Sequence, residues 1–202
     1  TGGGGALLYA RAEQGGFHHF TVVRADGDRV EAEAVAVKVE LEEPRVAVHG
    51  PKGHMEMGLG EIAAMLGCEV VTAFENKFGN LGGQGAYAGV RVVALVDMVG
   101  GMRPGQVLVV TSSDGYAQEY AYENVYPSAE WLAMQGEMLL AYEKDGATHP
   151  AWGEGPRIVF APADGVYHNS DCAATSAAGQ GWNVYESAGA RWARYVRRIE
   201  VR

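Results

Sequence analysis

The chain has 202 residues, 48% of them apolar and 20% charged, enough to bury a substantial core in one large domain or a domain with an appendage. Its formal net charge of −9 argues against a nucleic-acid or anionic-membrane surface, which would be basic. No apolar run reaches the roughly eighteen residues of a membrane-spanning helix, and 29 glycines, about twice the usual share, foretell many turns and close backbone approaches.

Thr1 precedes four glycines. This start reads either as an engineered boundary or as the mature end left after removal of a signal or anchor segment, and the second is the expectation. Residues 1–16 form a flexible or docking segment. Its apolar run ALLYA (6–10) is expected to add as a strand to its own sheet edge or to a neighbouring subunit. A second copy of this chain, or another extracellular protein, is thus the expected partner.

Residues 17–24 and 29–41 are strand patterns divided by Asp26-Gly27, a hairpin turn signal. The apolar phase flips near Ala34, which predicts a bulge or a passage between sheets. Glu40, Glu42 and Glu43 read as a solvated strand end. Pro44 breaks the run, and 46–49 is a short strand. The stretch HGPKGHMEM (49–57) offers two imidazoles and two thioethers, a copper(I) donor set with His49 and His54 as metal ligands. The preferred reading is a glycine-rich turn leading to a helix whose methionines pack inward. His18 and His19 alternate on a strand and cannot share one ion.

Leu59, Ile62, Met65 and Leu66 mark a short helix stopped by Gly67. Residues 70–74 are a strand. Residues 79–85 read as a glycine-rich loop without the Lys-Ser/Thr ending of a phosphate loop. Ala88-Gly89 reads as a tight turn. Val92, Val93, Leu95, Val96 and Val99 share a helical face, and Gly100-Gly101 ends that helix. Residues 107–110 are a continuous apolar run, a strand covered on both faces. Asp114-Gly115-Tyr116 turns the chain into a strand over 117–122. Ser128 N-caps a helix through Gln135, 138–142 is a strand before the Lys144-Asp145-Gly146 turn, and 157–161 is another. Residues 163–189 form a long insertion, which Tyr167, Trp182 and Tyr185 mark as packed rather than flexible. Residues 192–201 close the fold.

Cys68 and Cys172 form either one disulfide or two unrelated buried thiols. The polar surroundings of Cys172 favour the disulfide, and with it an extracellular, periplasmic or cell-surface location. His168, Asp171 and Cys172 are also a candidate metal or nucleophile cluster, set behind the disulfide reading. Arg191, Arg194, Arg197, Arg198 and Arg202 hold five of the sixteen basic residues, expected to lie along a solvated edge.

Four segments over roughly 45–201 carry a family resemblance. VAVHG (46–50) with LGEIA (59–63) is similar to a strand-Gly and L-x-x-L helix opening. YAGVRV (87–92) is similar to W-x-G-V-P-L. DGY (114–116) and LLAYE (139–143) with Asp145-Gly146 match D-G-Y and L-A-Y-x-x-N-G segments. GPRIV (155–159) and RYVRRIEV (194–201) match the closing strands. Together they resemble the molybdopterin-binding domain of the sulfite oxidase family. The resemblance implies an α+β, mostly β fold, here a single domain over 17–202 with an added N-terminal β-hairpin (17–44) and a long late insertion (163–189). It also implies a T-x-x-C strand whose cysteine ligates molybdenum. TAFENK (72–77) stands there, with Glu75 at or beside the cysteine position. A carboxylate is a hard donor and does not reproduce a thiolate site.

The first expectation is therefore a non-catalytic extracellular binding or assembly module that keeps the scaffold and carries no cofactor. The alternative is a molybdopterin-dependent oxidoreductase with an atypical ligand set. Glu75, Asn76 and Lys77 would then face the cofactor, with Arg157, Arg191 and Arg194 on the pterin phosphate.

Overall fold

The computed structural model describes the backbone of residues 16–26, 29–39 and 43–202, and the side chains of 43–202. The docking segment 6–10 lies outside the described residues. The chain divides between Glu42 and Glu43 into two units. The first contains one hairpin, β1 (Gly16–Asp26) and β2 (Arg29–Val39). Its register runs from Gly16↔Val39 to Asp26↔Arg29 without a shift, so the phase flip near Ala34 is neither a bulge nor a change of sheet.

The second unit places two sheets around one core. β3 (Arg45–Gly50), β4 (Gly53–Gly58), β7 (Val107–Ser112), β8 (Ala117–Ala121) and β13 (Val196–Val201) form one sheet, in the order β4-β3-β13-β7-β8. The other holds β5 (Cys68–Glu75), β6 (Leu81–Arg91), β9 (Glu137–Lys144), β10 (Ala147–Thr148), β11 (Arg157–Ala161) and β12 (Val166–Tyr167). Its order is β10-β9-β6-β5-β12, with β11 also pairing β9. Both sheets are mixed, because β13 runs parallel to β3 and β12 parallel to β5.

Alternation supplies the core. Val46 and Val48 of β3 and Ile199 of β13 are buried between more exposed neighbours, whereas Leu108, Val109 and Val110 of β7 are all buried. Residues 138–141 and 157–160 are buried without alternation, as strands covered on both faces must be. The helix α2 (Val92–Met98) buries Val92, Leu95 and Val96 and packs on β3, β6 and β9. Gly100 and Gly101, at φ 108 and 74, end it as the sequence predicts. α1 (Leu59–Ala63) buries Leu59 and Ile62, but Leu66 lies beyond its end and is exposed. Two more short helices, α3 (Tyr122–Val125) and α4 (Ala129–Gln135), follow β8; Ser128 Oγ accepts from Trp131 N at 3.3 Å at the start of α4.

Three local expectations change. Residues 53–58 are not a turn into a helix but β4, hairpinned onto β3. The glycines of 81–85 form the first half of β6 rather than a loop. Ala88-Gly89 is a bulge inside β6, where the pairing with β9 shifts register. In each case a partner strand, β3 for β4 and β5 and β9 for β6, supplies the hydrogen bonds that a glycine-rich segment cannot attract by propensity.

The insertion 163–189 is packed, as expected, and carries β12, α5 (Asn169–Ala174) and two single 3-10 turns.

Candidate functional site

β5 and β6 build the floor of a cavity. Phe74 of β5 lies over Gly82 and Gly83 of β6 and over Gly189 of the insertion, where a Cβ would come within 2.8, 2.6 and 2.5 Å of the ring. Only glycine leaves room for that phenyl group. Trp192 meets Phe74 edge-on at 5.0 Å, and Tyr87 at 5.7 Å. The Arg157 guanidinium covers both Phe74 and Trp192, at 5.3 and 5.5 Å, and its Nε donates to the Trp192 carbonyl at 3.3 Å.

Beside this aromatic group is an open cavity of about 470 Å³. Lys144, Arg157 and Arg194 bring three cations to its wall, Glu154 and Asp114 two carboxylates. Glu154 bridges two of the cations, accepting from Arg157 Nη1 at 2.7 Å and Arg194 Nη1 at 2.8 Å. Burial opposes its charge, but the Arg194 hydrogen bond and the two guanidinium charges outweigh burial and hold its carboxyl below the usual range. Tyr87 donates to the Gly83 carbonyl, and burial pushes its hydroxyl up to about 12. Two wall residues keep an unmet hydrogen bond: Ser112 Oγ and Trp192 Nε1 are buried and unpartnered among the described residues. Such groups are uncommon in folded proteins and point to a water or a ligand.

The three residues implied to face the cofactor, Glu75, Asn76 and Lys77, are elsewhere. Strand alternation sends Glu75 away from the side Phe74 faces. Its Oε2 accepts from Asn169 N at 2.8 Å, and its Oε1 lies 3.2 Å from His168 Nδ1. Asn76 is used locally, its Oδ1 accepting from the backbone of Phe78 and Asn80 and its carbonyl accepting from Asn169 Nδ2. Lys77 stands over the Phe78 ring at 4.9 Å. None of the three lines the cavity.

The arginines also separate. Arg157 and Arg194 meet at Glu154, but Arg191 is fully buried, donating to Ser176 Oγ and Asn124 Oδ1. The three do not converge on one phosphate. Of the five C-terminal arginines, Arg194, Arg197, Arg198 and Arg202 are exposed, as a solvated edge requires, and Arg191 is buried.

The disulfide is absent: both cysteines are free. Cys68 is half-buried at the start of β5, its thiol 3.8 Å from the Gly89 carbonyl. Cys172 sits on the buried side of α5, a helix that its polar sequence does not announce. Burial pushes both thiols up, so neither has the character of a nucleophile or a ready metal ligand. Asp171 caps α5 by accepting from His168 N at 3.1 Å, which leaves the His168–Asp171–Cys172 cluster structural. With the disulfide goes the argument it supplied for an oxidising compartment.

The Glu75–His168 pair ties the end of β5 to the insertion and should make stability depend on pH. The backbone N–H of Asn169, then His168, lowers Glu75 below its usual 4.5. The Glu75 hydrogen bond, helped by the charge of Asp164, raises His168 above its usual 6.5. Stabilisation from His168 is complete below 6.5 and fades as pH rises through its raised folded value. That from Glu75 is complete above 4.5 and fades as pH falls through its lowered one. The melting-temperature gap between the wild type and His168→Gln should therefore be widest between pH 4.5 and 6.5. A gap that stays constant from acid to alkaline pH would remove the ion pair from the account.

Sequence reasoning missed Phe74, Glu154, Lys144 and Trp192, since no motif ties them together. One signal was available. Trp192 stands between Arg191 and Arg194 near the end of a segment otherwise rich in small residues.

No family model matches the chain, and no curated protein does. Among solved structures it is similar to the sulfane dehydrogenase SoxCD of Paracoccus pantotrophus, at 16% identity and a TM-score of 0.52. The match covers 81% of this chain and 39% of that one, so the chain spans about two-fifths of its neighbour's length. The likeness is one of fold: α+β, mostly strand, in mixed sheets, as the sequence implies. It marks a distant relationship.

Proposed function

We propose that this chain is a non-catalytic binding module on a scaffold distantly related to molybdopterin oxidoreductases, taking a small acidic ligand in the cavity beside Trp192. One observation carries the reading. Where the family's strand would present a thiolate, β5 aims Phe74 at the cavity and turns Glu75 into α5. Neither position offers a soft donor, and neither cysteine lines the cavity. A molybdenum–pterin group does not fit this set of residues, because the metal lacks its thiolate and the expected phosphate arginines are divided between the cavity and the core.

What remains suits an anion with a flat apolar body. The cations at the wall supply charge-assisted donors and Phe74 an aromatic surface. Glu154 fixes Arg157 and Arg194 in advance, which lowers the ordering cost of binding. Asp114, Tyr116, Arg157 and Arg194 of its wall lie in segments that carry the family resemblance, whereas Phe74, Gly83, Gly189 and Trp192 do not.

Calorimetric titration with an aryl carboxylate as probe tests this. The wild type should bind one equivalent. Arg194→Ala removes one cation and leaves Glu154 less neutralised, so it should bind about five- to tenfold more weakly, the effect of roughly 1–1.5 kcal/mol for one half-exposed charged hydrogen bond. No heat with either protein would sink the ligand reading. Stoichiometric molybdenum or tungsten with a pterin, in protein from its native source, would sink the non-catalytic one.

A further inference from the structure

The hairpin of β3 and β4 carries a side-chain pair that the cavity does not use. His49 and His54 stand directly opposite each other in its register, with ring centroids 5.4 Å apart and ring planes within 14° of parallel. We propose that they form a two-histidine site for one borderline divalent metal ion, of the Zn(II), Ni(II) or Cu(II) class, with its other coordination positions filled by water.

Directly opposed residues on antiparallel strands have Cβ atoms about 4.5–5.5 Å apart. Two imidazole nitrogens bound to one ion at about 2.0–2.1 Å must approach to roughly 3 Å. Parallel rings from directly opposed positions reach that separation by turning about their side-chain bonds, with no backbone change. His54 is exposed and His49 half-exposed, so an ion has access and keeps its water.

The frame is rigid. At the hairpin tip Lys52 N donates to the Val99 carbonyl at 2.9 Å, and a Cβ on Gly50 would come within 2.5 Å of the Val99 side chain. At the other end Arg45 of β3 holds Glu56 of β4, Nε to Oε1, at 3.2 Å. Both histidines thus project from strands fixed at either end. A second ligand on such a frame binds as an intramolecular event, which can add a factor of about 10²–10⁴ over one imidazole.

The donor chemistry selects the metal class. Alternation turns Met55 and Met57 the other way, where both pack against the core, so the four-donor copper(I) set suggested by the sequence does not assemble. The carboxylates placed beside the pair are already engaged. Glu200, aligned with His49 across β13, is held by Arg198 at 3.0 Å and Arg202 at 2.7 Å, and Glu56 by Arg45. Two imidazoles with water form a borderline set, which favours late divalent ions over calcium or magnesium.

The test is a calorimetric Zn(II) titration of the full chain, free of any histidine tag. The wild type should take up one ion. His49→Ala and His54→Ala should each weaken binding at least tenfold, and the double variant little further, because one imidazole alone is already a poor site. A His18→Ala/His19→Ala variant should match the wild type. Should either alanine variant melt early, His54→Gln keeps the bulk and must show the same tenfold loss. The proposal falls if the wild type takes up no Zn(II), or if the single His49 and His54 variants bind within twofold of it.

Discussion

Replacing Gly136 by alanine should cost on the order of 4 kcal/mol. Gly136 closes α4 at φ 67 and ψ −164, a region that is essentially glycine's alone and costs any other residue about 1–3 kcal/mol. Space is a second and separate obstacle. A Cβ there would overlap the carbonyl of Ala161 and the nitrogen of Pro162, closer than 3.0 Å to both. That backbone cannot retreat, since Ala161 pairs with Glu137 at the start of β9, and overpacking of this kind adds about 1–3 kcal/mol. In a domain of this size the sum should lower the melting temperature by about 10 °C, a large share of a typical stability of about 5–15 kcal/mol. Gly115→Ala is the control. Gly115 also has positive φ, at 88, but has open space around it, so only the conformational cost applies. Thermal melts followed by circular dichroism compare the two directly, and equal losses would show that the Ala161 contact contributes nothing. Because β9 ends at Lys144 and pairs with the strand bearing Arg157, loss of the Gly136 turn should also abolish ligand uptake at the cavity.

Arg191→Ala should be nearly as damaging, at about 3–4 kcal/mol, while Arg191→Met should be close to neutral. Arg191 is wholly buried, its guanidinium 4.7 Å over the Tyr120 ring, and no carboxylate pairs with it among the described residues. Truncation to alanine leaves a hole of aromatic size, and such holes cost about 3–5 kcal/mol. The polar partners would not suffer. Ser176 Oγ still donates to the Cys172 carbonyl at 2.6 Å and accepts from Trp182 N at 2.9 Å. Asn124 Oδ1 still accepts from Ala121 N at 2.9 Å. Methionine fills most of the volume, strands no hydrogen-bonding group and removes both a buried charge and the unpartnered Nε. Exchanges of buried charge for apolar bulk are often neutral or stabilising. Chemical denaturation of the three proteins decides the matter. A methionine variant as unstable as the alanine one would mean that the charge itself holds the insertion in place.

The sequence by itself determined the parts of this protein governed by neighbours close along the chain. The α2 helix, its Gly100-Gly101 stop, the covered strand at Val107, the Ser128 cap and the Asp114 and Asp145 turns follow from short-range periodicity, capping and glycine's freedom at positive φ. The mostly-β α+β class followed as well, because a class needs only the count and kind of elements. What rested on distant partners was decided by the tertiary structure alone. Ala88-Gly89 became a bulge because β9, far along the chain, pairs with β6 there and shifts register. Cys172 became a core residue because α5 turned it inward, and the disulfide vanished with that turn. Glu75 stands at or beside the position where the resemblance implies a cysteine, but its side chain meets α5, and its neighbour Phe74 takes the cavity. Alternation fixes that neighbours diverge; which face each meets depends on what the insertion, some ninety residues later, packs against the strand. Arg157 and Glu154 were brought to Trp192 and Arg194 in the same way, by a sheet whose order the local sequence does not encode, because pairing energy is gained between strands and not along them.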